Sequence, residues 1–122
     1  MLNLATWDLR EAMNASSAHV PPGVDEFELA GLTKAPACLV KPARVAESPV
    51  AFECRHFRTV PLPGDDGSAD NHLVIGRVIG IHIDDRYIHD GRVDTAALRP
   101  LARLGYSEYA VVTEAFRMRR PD

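Results

Sequence analysis

The sequence has little of what usually signals a chemistry. Cysteine occurs twice in 122 residues, at Cys38 and Cys54. Their spacing fits neither CxxC nor a zinc finger. A disulfide framework is therefore not expected, and a reduced, cytoplasmic protein with two free thiols is. No apolar run reaches the roughly 18 residues of a membrane span. The opening MLNLATWDLREAM has no basic region ahead of a long apolar core, so no signal peptide is read. Positive charge is also scarce, with 14 Lys+Arg against 17 Asp+Glu. Nucleic acid and anionic membranes normally require a basic excess, so neither is expected as a partner. Arg117, Arg119 and Arg120 make only a short basic tail.

Catalytic signatures are missing as well. The serines are Ser16, Ser17, Ser48, Ser68 and Ser107, and none lies in GxSxG. There is no Walker loop and no GxGxxG. Asp65, Asp66 and Asp70 sit in one turn, but without the spacing or closing Glu of an EF-hand. His82 and His89 could meet across a turn and share a metal, or could simply be exposed at strand ends. No metal site is read from these spacings.

The residues that are present describe a small, strand-rich domain. At 46% apolar and 25% charged, a 122-residue chain can fold as one domain with one modest core. Leu2-Asn3-Leu4 looks like the end of a strand, and Thr6 to about Ala15 reads as a helix capped by Thr6. Asp25 should cap a single turn over Glu26–Ala30, closed by Gly31. Prolines make Leu32 to Pro49 irregular and extended. Val50 to Val60 alternates as a strand, with Phe52, Cys54 and His56 on one face. After the turn PLPGDDGSAD comes Leu73 to Ile83, and an antiparallel hairpin is the simple pairing. That second strand shows a large face (Leu73, Ile75, Ile79, Ile81, Ile83) and a small one (Val74, Gly76, Val78, Gly80). Glycine inside a strand marks a bend, a bulge or a close approach. Arg86 to His89 reads as a short strand, Asp90-Gly91 as a hairpin turn, Thr95 to Leu104 as a short helix or turn, and Tyr106 to Met118 as a last strand. The sum is about four strands and two short helices, a small β-barrel or half-barrel.

Four segments resemble one family. They are DEFELAGLT (Asp25–Thr33), VKPARVAESPVAFECR (Val40–Arg55), NHLVIGRVIGIHIDD (Asn71–Asp85) and DGRVDTAALRPLARLGYSEYAVV (Asp90–Val112). Together, and in this order, they resemble the flavin reductase family, whose fold is the FMN-binding split barrel. The family includes the reductase components of two-component monooxygenases.

The resemblance implies a mainly β, partial split barrel over residues 1–122, lacking the family's N-terminal strands. It implies a homodimer that binds FMN, takes hydride from NAD(P)H and supplies a monooxygenase component. The position of His72, preceded by Asn71, resembles the family's histidine at the start of this strand, near the flavin and nicotinamide pocket, where it could hydrogen-bond a cofactor oxygen. His72 could equally face solvent, and Asn71 could be a loop cap. The cofactors carry the hydride chemistry, so no catalytic acid–base pair is expected. Two alternatives stand beside this reading: a non-catalytic split-barrel fragment, and a small flavoprotein that carries electrons without NAD(P)H.

Overall fold

The computed structural model describes residues 1–67 and 71–121. Ser68, Ala69 and Asp70, the last considered above for a calcium loop, lie outside the described residues. The framework is a three-stranded antiparallel sheet in the order β1 (Leu2–Asn3), β4 (Val50–Leu62), β5 (Asn71–Ile83). β1 pairs with the base of β4, Leu2 opposite Phe52 and Asn3 opposite Ala51. The hairpin β4–β5 then extends well beyond it, from Val50 opposite Ile83 to Leu62 opposite Asn71. The expected hairpin is therefore present, and Leu2-Asn3 is indeed strand.

Smaller pairs surround the base. They are β2 (Lys34–Ala35) with β3 (Arg44–Val45), β6 (Ile88–His89) with β7 (Arg92–Val93), and β8 (Leu101–Arg103) with β9 (Tyr109–Val111). The Leu32–Pro49 segment thus contains a two-residue ladder within its irregular course. The expected last strand is confined to β9, and no regular structure follows it through residue 121. β8 is an additional strand that the sequence reading placed in a helix or turn. Its partner is close in sequence, so the ladder closes across a short loop in which Tyr106 takes φ 56°.

The helices follow their local signals. A 3-10 turn at Trp7–Leu9 leads into α1 (Arg10–Ala15), so the first helical stretch is split in two. Thr6 makes no capping bond from its side chain. It is buried instead, in a bridge to Pro100. α2 (Glu26–Ala30) has the Asp25 cap, whose carboxylate accepts from the Phe27 N–H at 3.0 Å, and ends at Gly31 with φ 65°. α3 (Thr95–Leu98) is capped by Asp94 through the Ala97 N–H at 3.0 Å.

Two bulges interrupt the β4–β5 register, between Glu53 and Cys54 and between His56 and Arg58. The first changes the expected pattern. Gly80 pairs with Glu53, whereas Cys54 pairs with Val78, so Ile79 is the extra residue. Glu53 and Cys54 point to opposite faces of β4. A Cβ on Gly80 would meet Glu53 Cβ at 3.4 Å, and one on Gly76 would meet Cys54 Cβ at 3.2 Å. The two glycines therefore serve opposite faces, and the single small face expected from alternation does not exist.

Burial is sparse. Among the described residues the buried apolar side chains are few, Ala51 and Leu98 together with Pro49. The accessible surface is 9704 Å². A compact monomer of this mass exposes about 6,500 Å². Much of the excess lies on the projecting hairpin, where Phe57, Leu73 and Val74 are half or more exposed. The architecture is mainly β, a split barrel present in part and not closed.

Candidate functional site

The one buried carboxylate among the described residues is Glu53, 1% exposed, at the base of the hairpin. The strand carries it inward beside Ala51, and the segment around Cys38–Val40 folds over it. Its Oε1 accepts the Cys38 N–H at 2.8 Å. Its Oε2 accepts those of Leu39 at 2.5 Å and Val40 at 3.0 Å. His82 Nε2 lies 2.6 Å from Oε1. These four partners match the roughly four lone-pair directions of a carboxylate. The Cys38 N–H is the strongest of several bonds that favour the charged form. Desolvation opposes them, and the result holds Glu53 down at about 2.

Gly80 leaves room for this closure. A Cβ there would lie 3.1 Å from Leu39 Cδ1, in the space Leu39 uses to bring its N–H to the carboxylate. His82 reaches Glu53 from β5 and also lines an open cleft of about 450 Å³ with Arg44, Ser48 and Asp84. Arg44 Nε is buried there with no hydrogen-bond partner among the described residues. Asp84 is occupied by Arg86 at 2.6 Å.

The sequence-selected pair lies elsewhere. Asn71 and His72 open β5, opposite Leu62 and Pro61, and both are exposed. Ten residues separate His72 from His82, roughly 30 Å along a strand. The structure thus sets the Asn71–His72 end apart from the Glu53–His82 base. Between them Arg55 stands opposite Arg77. Neither is in an ion pair among the described residues, and Arg77 lies over the Phe57 ring at 5.4 Å. His89 lies in the β6–β7 hairpin while His82 pairs with Glu53, so the considered pair of histidines gives way to a histidine–carboxylate pair. Cys38 and Cys54 are free thiols, as expected.

Comparison with known proteins decides the family. Residues 1–98 match the family model described as "Flavin reductase like domain". The chain belongs to that family. An uncharacterized protein of Halalkalibacterium halodurans is 40% identical over 91% of this chain and 53% of its own length. Nitrilotriacetate monooxygenase component B from Bacillus cereus superposes with a TM-score of 0.87 at 31% identity, covering 95% of this chain and 57% of that one. A flavin-reductase-type split barrel from Shewanella frigidimarina superposes with a TM-score of 0.82 at 23% identity, over 98% and 59%. This last likeness shows the fold alone. The chain spans about half the length of the curated relatives it matches.

Alternation places Glu53 on the face of β4 away from Phe52, Cys54 and His56, and no motif singles it out. A signal was present, since an acidic residue opposite a strand glycine implies a close approach. What approaches it comes from fifteen residues earlier in the chain.

Proposed function

We propose that this chain is part of a flavin reductase that binds FMN, receives hydride from NAD(P)H, works as a homodimer and supplies a monooxygenase component. The family match over residues 1–98 carries this reading. The likeness to a monooxygenase component B at 31% identity supports the oxygenase partner.

The residues present fit such a ligand in kind. A planar heteroaromatic ring needs an apolar surface with a few polar groups at its margin. On one face the outer hairpin offers exposed Leu73 and Ile75 in line with Asn71, and on the other exposed Val74 in line with His72. A phosphate needs positive charge, and Arg55 and Arg77 stand side by side without carboxylate partners among the described residues. When bound, the flavin supplies the hydride chemistry. The role of this chain is then to hold the ring against one apolar face of the hairpin, orient it through the polar group that shares that face at the Asn71–His72 strand end, and keep water from it.

The same surface supports the homodimer. Two half-exposed hairpins gain by covering one another, at about 25 cal/mol per Å² before the costs of association. The unusually large free surface also favours a second reading, in which this chain alone is a non-catalytic partial barrel that folds fully only by association.

Colour separates the possibilities. The purified chain is incubated with FMN, desalted and treated with NADH without oxygen. A yellow protein that bleaches supports the reductase. A yellow protein that does not bleach is a flavin carrier, and a colourless one is the partial barrel.

A further inference from the structure

Three side chains from three separate stretches converge at the base of the hairpin. The Cys38 thiol, the Glu53 carboxylate and the His82 imidazole each present a donor atom, and these atoms lie within 4.8 Å of one another. Their surroundings differ in a useful way. Glu53 is buried, His82 is partly exposed and Cys38 is exposed. The cluster is therefore rigid at its floor and open at its mouth.

The floor is already organised. Three backbone N–H groups fix the carboxylate plane. The remaining direction on Oε1 points at His82 Nε2, 2.6 Å away. Only a proton fits on that line at this separation. Two such donors around a tetrahedral zinc ion would stand about 3.3 Å apart. His82 would need to withdraw by about 0.7 Å, and its side chain is 28% exposed and lines the open cleft. Cys38 is tied to the same carboxylate through its own N–H, so its thiol stays beside the other two donors.

We propose that Cys38, Glu53 and His82 form a binding site for a zinc-type divalent cation, with its fourth position open to water. The donor set selects the metal class. Calcium and magnesium take oxygen ligands, whereas a thiolate with an imidazole and a carboxylate suits zinc. Charge balance agrees, because one thiolate and one carboxylate neutralise a doubly charged ion. The backbone N–H groups on Glu53 supply the outer shell that orients a metal ligand. This site is separate from the Asn71–His72 end, so it stands or falls independently of flavin binding.

The test is a titration of the full chain, stripped with chelator and kept reduced, with Co²⁺ as the probe. One Co²⁺ per chain is expected, with a thiolate-to-cobalt charge-transfer band in the near ultraviolet that Zn²⁺ abolishes. Cys38→Ser should remove the band and weaken Zn²⁺ binding at least about 100-fold, the upper end of the loss from even an outer-shell change. Its backbone N–H is untouched, so the fold is retained, which circular dichroism checks. His82→Gln keeps a donor for Glu53 and should weaken Zn²⁺ similarly. Cys54→Ser should change neither band nor affinity. No charge-transfer band at one equivalent would overturn the proposal. So would a band lost in Cys54→Ser but kept in Cys38→Ser, or equal Zn²⁺ affinity in Cys38→Ser and the parent.

Discussion

Gly80 pairs with Glu53 across the β4–β5 ladder, and the side chain it lacks leaves the space in which Leu39 closes over the carboxylate. One absent methyl group thereby links a strand to a loop. A buried charge is tolerated only when its hydrogen bonds are made. Here the loop makes three of them and His82 the fourth.

Substitution of the two strand glycines should differ in a definite order. At Gly80 an alanine meets the far end of the Leu39 side chain at 3.1 Å, and Leu39 is 58% exposed and can turn away. At Gly76 an alanine meets Cys54 Cβ at 3.2 Å, an atom fixed to the backbone. Gly76→Ala should therefore cost more than Gly80→Ala. Gly80→Val adds branches that press on Glu53 and should destabilise by roughly 1–3 kcal/mol. Denaturant midpoints decide this, and equal midpoints for Gly80→Val and the parent would show that the face is open.

Acid should loosen the base of the hairpin. Glu53 is held at about 2, below its ordinary 4.5, by the Cys38 N–H first and by His82, Leu39 and Val40 after it. A carboxylate depressed on folding contributes stability that is complete above about pH 4.5 and fades as the pH falls toward 2. In chelator-treated protein, thermal midpoints between pH 5 and pH 2 should fall more steeply for the parent than for Glu53→Gln. Glu53→Gln should also lower stability at pH 7 more than His82→Gln, because three of the four partners are backbone groups that cannot reorient. Parallel pH curves for parent and Glu53→Gln would contradict the assignment.

The cap of α3 should matter more than its length suggests. Asp94 accepts the Ala97 N–H, and α3 carries Leu98, one of the few buried apolar residues among those described. Asp94→Ala is expected to cost about 1 kcal/mol. Asp94→Asn should recover most of it, as read by urea unfolding.

Self-association should depend on the hairpin face. Val74 and Phe57 are 64% and 60% exposed on strands that project from the base. Exposed apolar area of this extent marks an interaction surface. The chain is expected to sediment as a dimer or larger, and Val74→Glu should shift it toward monomer. A compact monomer at micromolar concentration that binds no apolar dye would refute this.

By itself the sequence determined the local elements. Asp25 and Gly31 bound α2 as their capping chemistry dictates. Asp90 and Gly91 turn β6 into β7 with φ 51° and 71°. Alternation from Val50 and the apolar run to Ile83 made the hairpin, and the four family-like segments named the fold. Each of these signals acts over a few neighbouring residues or along one strand. Local signals start the second strand at Leu73, and the structure extends it back through His72 to Asn71, paired with Pro61 and Leu62. Tertiary structure decided the rest. The extra residue at Ile79 turned one small face into two glycines on opposite faces, because a bulge is settled by how both strands pack. Cys38, Glu53 and His82 meet although fifteen and twenty-nine residues separate Glu53 from the other two. No periodicity spans such distances. They are brought together because a carboxylate taken out of water must find donors, and the N–H groups of a loop folded over Gly80 supply them.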